Sequence, residues 1–155
     1  MGTIFIGVKM KVPTIIVSGG FDPIHKGHVQ MIREAAEYGR VIVILNSDDW
    51  LIRKKGYNFM SFEERAYIAG SIKGVDIVSN VDDQDGTVCG ALKRFKPDYF
   101  ANGGDRLEKN TPEMNICKEL EIKMLWNIGG GKIQSSSDLV YNSQLKRRVV
   151  NGQEF

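Results

Sequence analysis

Pro13-Thr14-Ile15-Ile16-Val17-Ser18-Gly19-Gly20-Phe21-Asp22-Pro23-Ile24-His25-Lys26-Gly27-His28 is the stretch that decides how this chain folds. Its first six residues form a short apolar, β-branched run, suited to a strand covered on both faces. Gly19 and Gly20 then let the backbone approach a ligand closely and present its N–H groups. Beyond the turn, residues 26–38 place Val29, Ile32, Ala35 and Ala36 on one helical face and Arg33, Glu34 and Glu37 on the other. Gly39 is placed to end that helix. A glycine turn running into a helix N-terminus favours phosphate, because the first-turn N–H groups have no intrahelical partner.

The same alternation continues outward from this unit. Residues 41–45, 75–78, 99–101 and 122–126 supply four more apolar strand signals. Between them lie helical segments at 61–72, 86–95, 112–120 and 136–149, the last with Leu139, Val140 and Leu145 as apolar contacts. Ser61 and Glu64 read as a capping box at the start of the 61–72 helix, and residues 49–60 read as a loop. Strand and helix in alternation predict an α/β fold, a Rossmann-like doubly wound five-stranded parallel sheet with helices on both faces. Ligands in such folds bind at the carboxyl ends of the strands, where the turns 18–22, 46–49 and 102–105 concentrate Gly, Asp and Asn. Residues 82–86 read as an exposed acidic loop and helix cap.

A length of 155 residues suits one domain over 12–150, with residues 1–11 an N-terminal extension and 151–155 a tail. The 21 basic and 19 acidic side chains leave a formal charge of +2, too little for a dedicated nucleic-acid binder. Arg53-Lys54-Lys55 is short and fits local anion binding, while Lys146-Arg147-Arg148 reads as a solvated face. Cys89 and Cys117 are far apart and outside any CxxC pattern, as expected of thiols in a reducing compartment. With no basic leader and no apolar run near the ~20 residues a membrane helix needs, the expected location is cytoplasmic, without a membrane partner.

His25 and His28 are the only histidines in the chain. Three residues apart on a first helical turn, both rings can face one bound anion. A zinc pair would need further ligands, but the cysteines are remote and HExxH is absent. The turn lacks GxGxxG, and no Gly-Lys-Ser/Thr completes a Walker loop.

Gly20-Phe21-Asp22-Pro23-Ile24-His25-Lys26-Gly27-His28 resembles the HxGH signature of the cytidylyltransferase-like nucleotidyltransferases, over about residues 12–142. Ile133-Gln134-Ser135-Ser136-Ser137 stands where that family carries a Ser/Thr-rich helix start. Asn46-Ser47-Asp48 with Arg53-Lys54-Lys55-Gly56, Glu63-Glu64-Arg65 and Asn102-Gly103-Gly104-Asp105 are similar to the heptose-phosphate adenylyltransferase branch. The chain departs from the pattern in Asn102, where that branch has lysine, in Lys26 between the histidines, and in Gly129-Gly130-Gly131-Lys132 before the serines.

The resemblance implies transfer of a nucleoside monophosphate from an NTP to a phosphorylated acceptor, with release of pyrophosphate. His25 and His28 would donate to the phosphates and Lys55 would reach over them, as the catalytic set. Ser18, Gly19, Gly20, Phe21, Asp22, Gly27, Gly104, Asp105, Ser135, Ser136 and Ser137 would hold the nucleotide. Arg65, Asp48 and Lys54 would bind the acceptor, with Arg65 as a bidentate fork on its phosphate. Mg²⁺ would arrive with the NTP, leaving no metal site of the protein's own. The partners implied are ATP, favoured over CTP, a heptose 1-phosphate-like sugar phosphate, and a second copy in a homodimer. A cytidylyltransferase acting on glycerol 3-phosphate and a non-catalytic nucleotide-binding module are the alternative readings.

Overall fold

The computed structural model describes residues 11–103, 111–131 and 134–150. Five parallel strands form one sheet in the order β3-β2-β1-β4-β5: β1 Thr14–Gly19, β2 Arg40–Leu45, β3 Val75–Ser79, β4 Tyr99–Ala101 and β5 Lys123–Leu125. The helices are α1 Lys26–Ala35, α2 Asp48–Lys55, α3 Phe62–Gly70, α4 Cys89–Phe95, α5 Pro112–Glu119 and α6 Ser136–Val150.

Alternation along the central strands builds a core on each face of the sheet. Ile15, Val17, Val41, Val43 and Leu45 pack with Ile32 and Ala35 of α1 and Ala69 of α3. Ile16, Ile42 and Ile44 turn the other way, onto Ala91 and Leu92 of α4 and Cys117 of α5. These strand residues are 0–3% exposed, which explains why the sequence reads as continuous rather than alternating apolar runs. The sheet is doubly wound as expected. Its direction reverses between β1 and β4, so the ligand crevice belongs over the carboxyl end of β1.

Two local expectations differ from the structure. Residues 48–55 form α2 rather than a loop. Ser47 Oγ accepts the Trp50 N–H at 3.0 Å, Asp48 and Asp49 occupy the first turn, the basic run fills the last, and Gly56 closes it at φ 86°. Each is a regular helix-end signal, present in a segment without an apolar stripe. Gly39 does not end α1, which caps at Ala36 in right-handed geometry. A Cβ on Gly39 would lie 2.5 Å from the Pro13 carbonyl oxygen, so its role is close approach to the entry of β1. Of the capping box at α3, the Ser61 Oγ to Glu64 N–H bond is present at 3.3 Å.

The acidic segment 82–86 also differs. Asp83 is buried, accepting from Asn46 Nδ2, Ser47 N and Ser47 Oγ, and Arg53 Nη2 donates to its carbonyl. It ties the exit of β2 to the start of α4. Asp85 stays exposed and caps Thr87, whose backbone N–H holds the Asp85 carboxyl below the usual carboxylate range. Among the described residues, no helix is long and apolar enough to cross a membrane.

Candidate active site

The turn after β1 places both histidines through helix capping. His25 is the N-cap of α1, and its Nδ1 accepts the Gly27 N–H at 3.1 Å. His28 reaches back, and its Nδ1 accepts the His25 N–H at 3.1 Å. Two orphan backbone donors are satisfied reciprocally, as in a Ser/Glu capping box. A neutral ring that accepts at Nδ1 carries its proton on Nε2, so both rings are set to donate through Nε2. The rings stack with centroids 3.8 Å apart and an interplanar angle of 22°, and the Phe21 ring meets His28 edge-on at 4.5 Å. The three-residue spacing is therefore what capping requires, and its result is two stacked rings at the cavity.

A cavity of about 460 Å³ opens over this turn. Gly20, Phe21, Asp22, His25, Gly27 and His28 form its floor. The N-terminus of α6 closes one side with Ser135, Ser136 and Ser137. The Ser135 hydroxyl oxygen accepts the Asp138 N–H at 3.3 Å, and the Ser136 hydroxyl donates to the Pro23 carbonyl at 2.7 Å. That bond moors α6 to the histidine turn and aims the positive end of a 15-residue helix at the cavity. On the opposite side stand Trp50, Leu51, Lys54 and Lys55 of α2.

Asp22 turns inward. Its carboxylate is buried and accepts the Phe59 and Met60 N–H groups at 2.6 Å each. Lys55 Nζ donates to the Asp22 carbonyl at 2.8 Å and lies 3.7 Å from its carboxylate. Asp22 thus holds residues 59–60 and Lys55 against the phosphate turn.

Several expected residues are not brought to the cavity. Arg65 is 0% exposed and four of its five N–H groups bond within the protein. Nε donates to Met60 O, Nη1 to Gly20 O and Asn46 O, and Nη2 to Asp48 Oδ1 at 2.8 Å. It is a strut under the turn and cannot also fork an acceptor phosphate. Asp48 is its partner and accepts the Phe62 N–H as well, so it leaves the acceptor set too. Ser18 and Gly19 end β1 behind the turn, where Gly19 pairs with Leu45 and is covered by the Phe21 ring. Gly104 and Asp105 lie outside the described residues, as does Ile133.

The structure adds residues the sequence reading passed over. Gly129, Gly130 and Gly131 line the cavity, the first two at φ 89° and 77°. A Cβ on Gly129 would sit 2.9 Å from the Met31 Cα, and its N–H donates to Glu34 Oε2. A run of three glycines after a strand was the available signal. Trp50, Met31, Gly103, Ile128 and Gln134 also line the cavity. The cysteines stand apart from it, both buried. Burial, with smaller contributions from Cys89 and Glu113, pushes the Cys117 thiol up to about 11.

A parallel α/β sheet on which a glycine turn, two Nε2 donors, lysines and a helix N-terminus converge defines a nucleotide-phosphate-handling domain. Comparison with known proteins gives the family. The Cytidylyltransferase-like family model matches residues 16–128. Bifunctional protein HldE of Aliarcobacter butzleri is 32% identical over 111 residues, covering 70% of this chain. The Gluconobacter oxydans protein of that name is 31% identical over 143 residues, or 90% of this chain. The chain spans about a quarter of the length of these relatives, 23% and 27%. A lipopolysaccharide core biosynthesis protein from Thermoplasma volcanium shares the fold, with a TM-score of 0.62 at 20% identity over 75% of this chain and 96% of that one. The chain belongs to the cytidylyltransferase-like family of nucleotidyltransferases.

Proposed function

We propose that the protein transfers a nucleotidyl group from an NTP, ATP in preference to CTP, to a sugar phosphate resembling heptose 1-phosphate. The observation that carries the reading is the pairing of His25 and His28, each held at Nδ1 by a backbone N–H and lining the same cavity as the α6 N-terminus. A phosphate oxygen of the acceptor attacks the α-phosphorus, the bond from that phosphorus to the bridging oxygen breaks, and Mg²⁺-pyrophosphate leaves. The attacking oxygen is already ionised at neutral pH, so no general base is needed. Catalysis reduces to alignment and to donors placed where charge grows. His25 and His28 donate to the α-phosphate and the departing bridge. Ser135–Ser137 hold the β- and γ-phosphates, and Lys55, anchored on Asp22, faces the departing charge.

The preference for a sugar phosphate rests on the similarity of residues 46–48, 53–56 and 63–65 to the heptose-phosphate branch and on the relatives above. A cytoplasmic homodimer accompanies it. The test is pyrophosphate release with ATP or CTP, Mg²⁺, and either heptose 1-phosphate or glycerol 3-phosphate. Release confined to ATP with the sugar phosphate is expected. Release confined to CTP with glycerol 3-phosphate would replace this reading with the alcohol-phosphate one. Nucleotide binding without release for any pair would replace it with a non-catalytic module.

A further inference from the structure

The two walls of the cavity differ in chemistry, and the difference follows from the sheet order. The β4 and β5 side contributes Gly103, Ile128 and the 129–131 glycines, over the crevice between β1 and β4. That crevice is where the nucleotide lies in a doubly wound sheet. The β2 side contributes α2, which carries an indole and two ammonium groups into the cavity through Trp50, Lys54 and Lys55. Trp50 is fixed close to the phosphate turn: its Cζ3 lies 3.7 Å from where a Cβ of Gly20 would stand. Lys54 Nζ sits over its ring, 4.6 Å from the centroid.

Resting on the reading above, we infer that Trp50 is the specificity residue for the acceptor, a platform for the apolar face of a sugar ring, with Lys54 as its exchangeable cover. Lys55 is held by Asp22, whereas among the described residues Lys54 makes a cation–π contact at an exposed site, a weak tether. A charge-assisted bond to a phosphate is stronger than that contact. An arriving sugar phosphate draws the Lys54 ammonium onto its phosphate and bares the indole face. The C–H face of a pyranose then occupies the place the ammonium held. A three-carbon alcohol phosphate takes the same ammonium but has no ring to cover the indole. Trp50 therefore separates ring acceptors from acyclic ones of equal charge.

The test compares heptose 1-phosphate with glycerol 3-phosphate, each with α,β-methylene-ATP, by calorimetry and by Trp50 emission in a Trp126→Phe protein, where Trp50 is the only tryptophan. The sugar phosphate should shift Trp50 emission and bind about tenfold tighter than glycerol 3-phosphate. Trp50→Leu should abolish that preference without changing nucleotide affinity, and Trp50→Phe should keep most of it. An unchanged preference in Trp50→Leu, a nucleotide affinity that falls instead, or sugar phosphate bound without any change in Trp50 emission would overturn the inference, as would failure of the sugar phosphate to bind. If Trp50→Leu does not fold, the emission and Trp50→Phe measurements decide. Because binding is read without turnover, the absence of pyrophosphate release would count against the proposed reaction alone.

Discussion

Two polar clusters lie back to back at the carboxyl ends of β1 and β2. In the rear one, Arg65, Asp48, Asn46 and Asp83 bond to one another and to backbone, and all but Asp48 are buried. In the front one, His25, His28, Ser135 and Ser136 make capping or mooring bonds and, with Lys54, line a cavity. Both clusters use charged and hydrogen-bonding side chains of the kinds that bind phosphate. Burial separates them: a fully buried arginine bonded four times within the protein supports the turn, while side chains that line the cavity can meet a ligand.

The largest effect should come from the rear. Arg65→Ala leaves the Gly20, Asn46 and Met60 carbonyls and the Asp48 carboxylate without their donor. Leaving buried carbonyls unpaired costs about 1–3 kcal/mol each, together about 3–5 kcal/mol, a fall in Tm of about 10 °C for a chain of this size. A thermal melt checks it; an unshifted Tm with a raised acceptor KM would return Arg65 to the substrate side. His28→Ala should do the reverse, lowering turnover by about 10²–10³-fold, the usual loss for one such donor, with Tm nearly unchanged. Near-normal turnover in that folded variant would remove His28 from the reaction.

Smaller effects sharpen the boundary. Ser136→Ala removes the mooring to Pro23 and should cost about 1 kcal/mol, with a rise in the NTP KM larger than any fall in kcat; steady-state kinetics separates the two. Smallest of all, iodoacetamide at pH 8 should leave Cys117 unlabelled in the native protein, because its thiol ionises only near 11 and is buried. Unfolding in guanidinium should make it react. Native labelling, read by mass spectrometry, would show that the core face under α5 opens.

The sheet was legible because strands covered on both faces must be apolar where they are covered, and residues 15–17 and 41–45 show it directly. The histidine turn was legible because capping and phosphate binding ask for the same spacing. Arg65 was not: a basic residue after Glu63-Glu64 gives no sign of burial, and only the folded positions of Gly20 and Asn46 make it a strut. Asp83 misled for the same reason, since an acidic run looks solvated until Asn46 and Ser47 are placed beside it. α2 was missed because its end signals lack an apolar stripe, and with it went Trp50, on a wall of the cavity no motif marks.

The account stands most directly on which phosphorus is attacked. ATP labelled with ³²P at either the α- or the γ-position, incubated with Mg²⁺ and heptose 1-phosphate, separates the possibilities in one experiment. The account predicts that α-label passes to the sugar product and γ-label leaves as pyrophosphate. γ-Label on the sugar, or α-label retained in nucleotide while γ-label is lost, would contradict it.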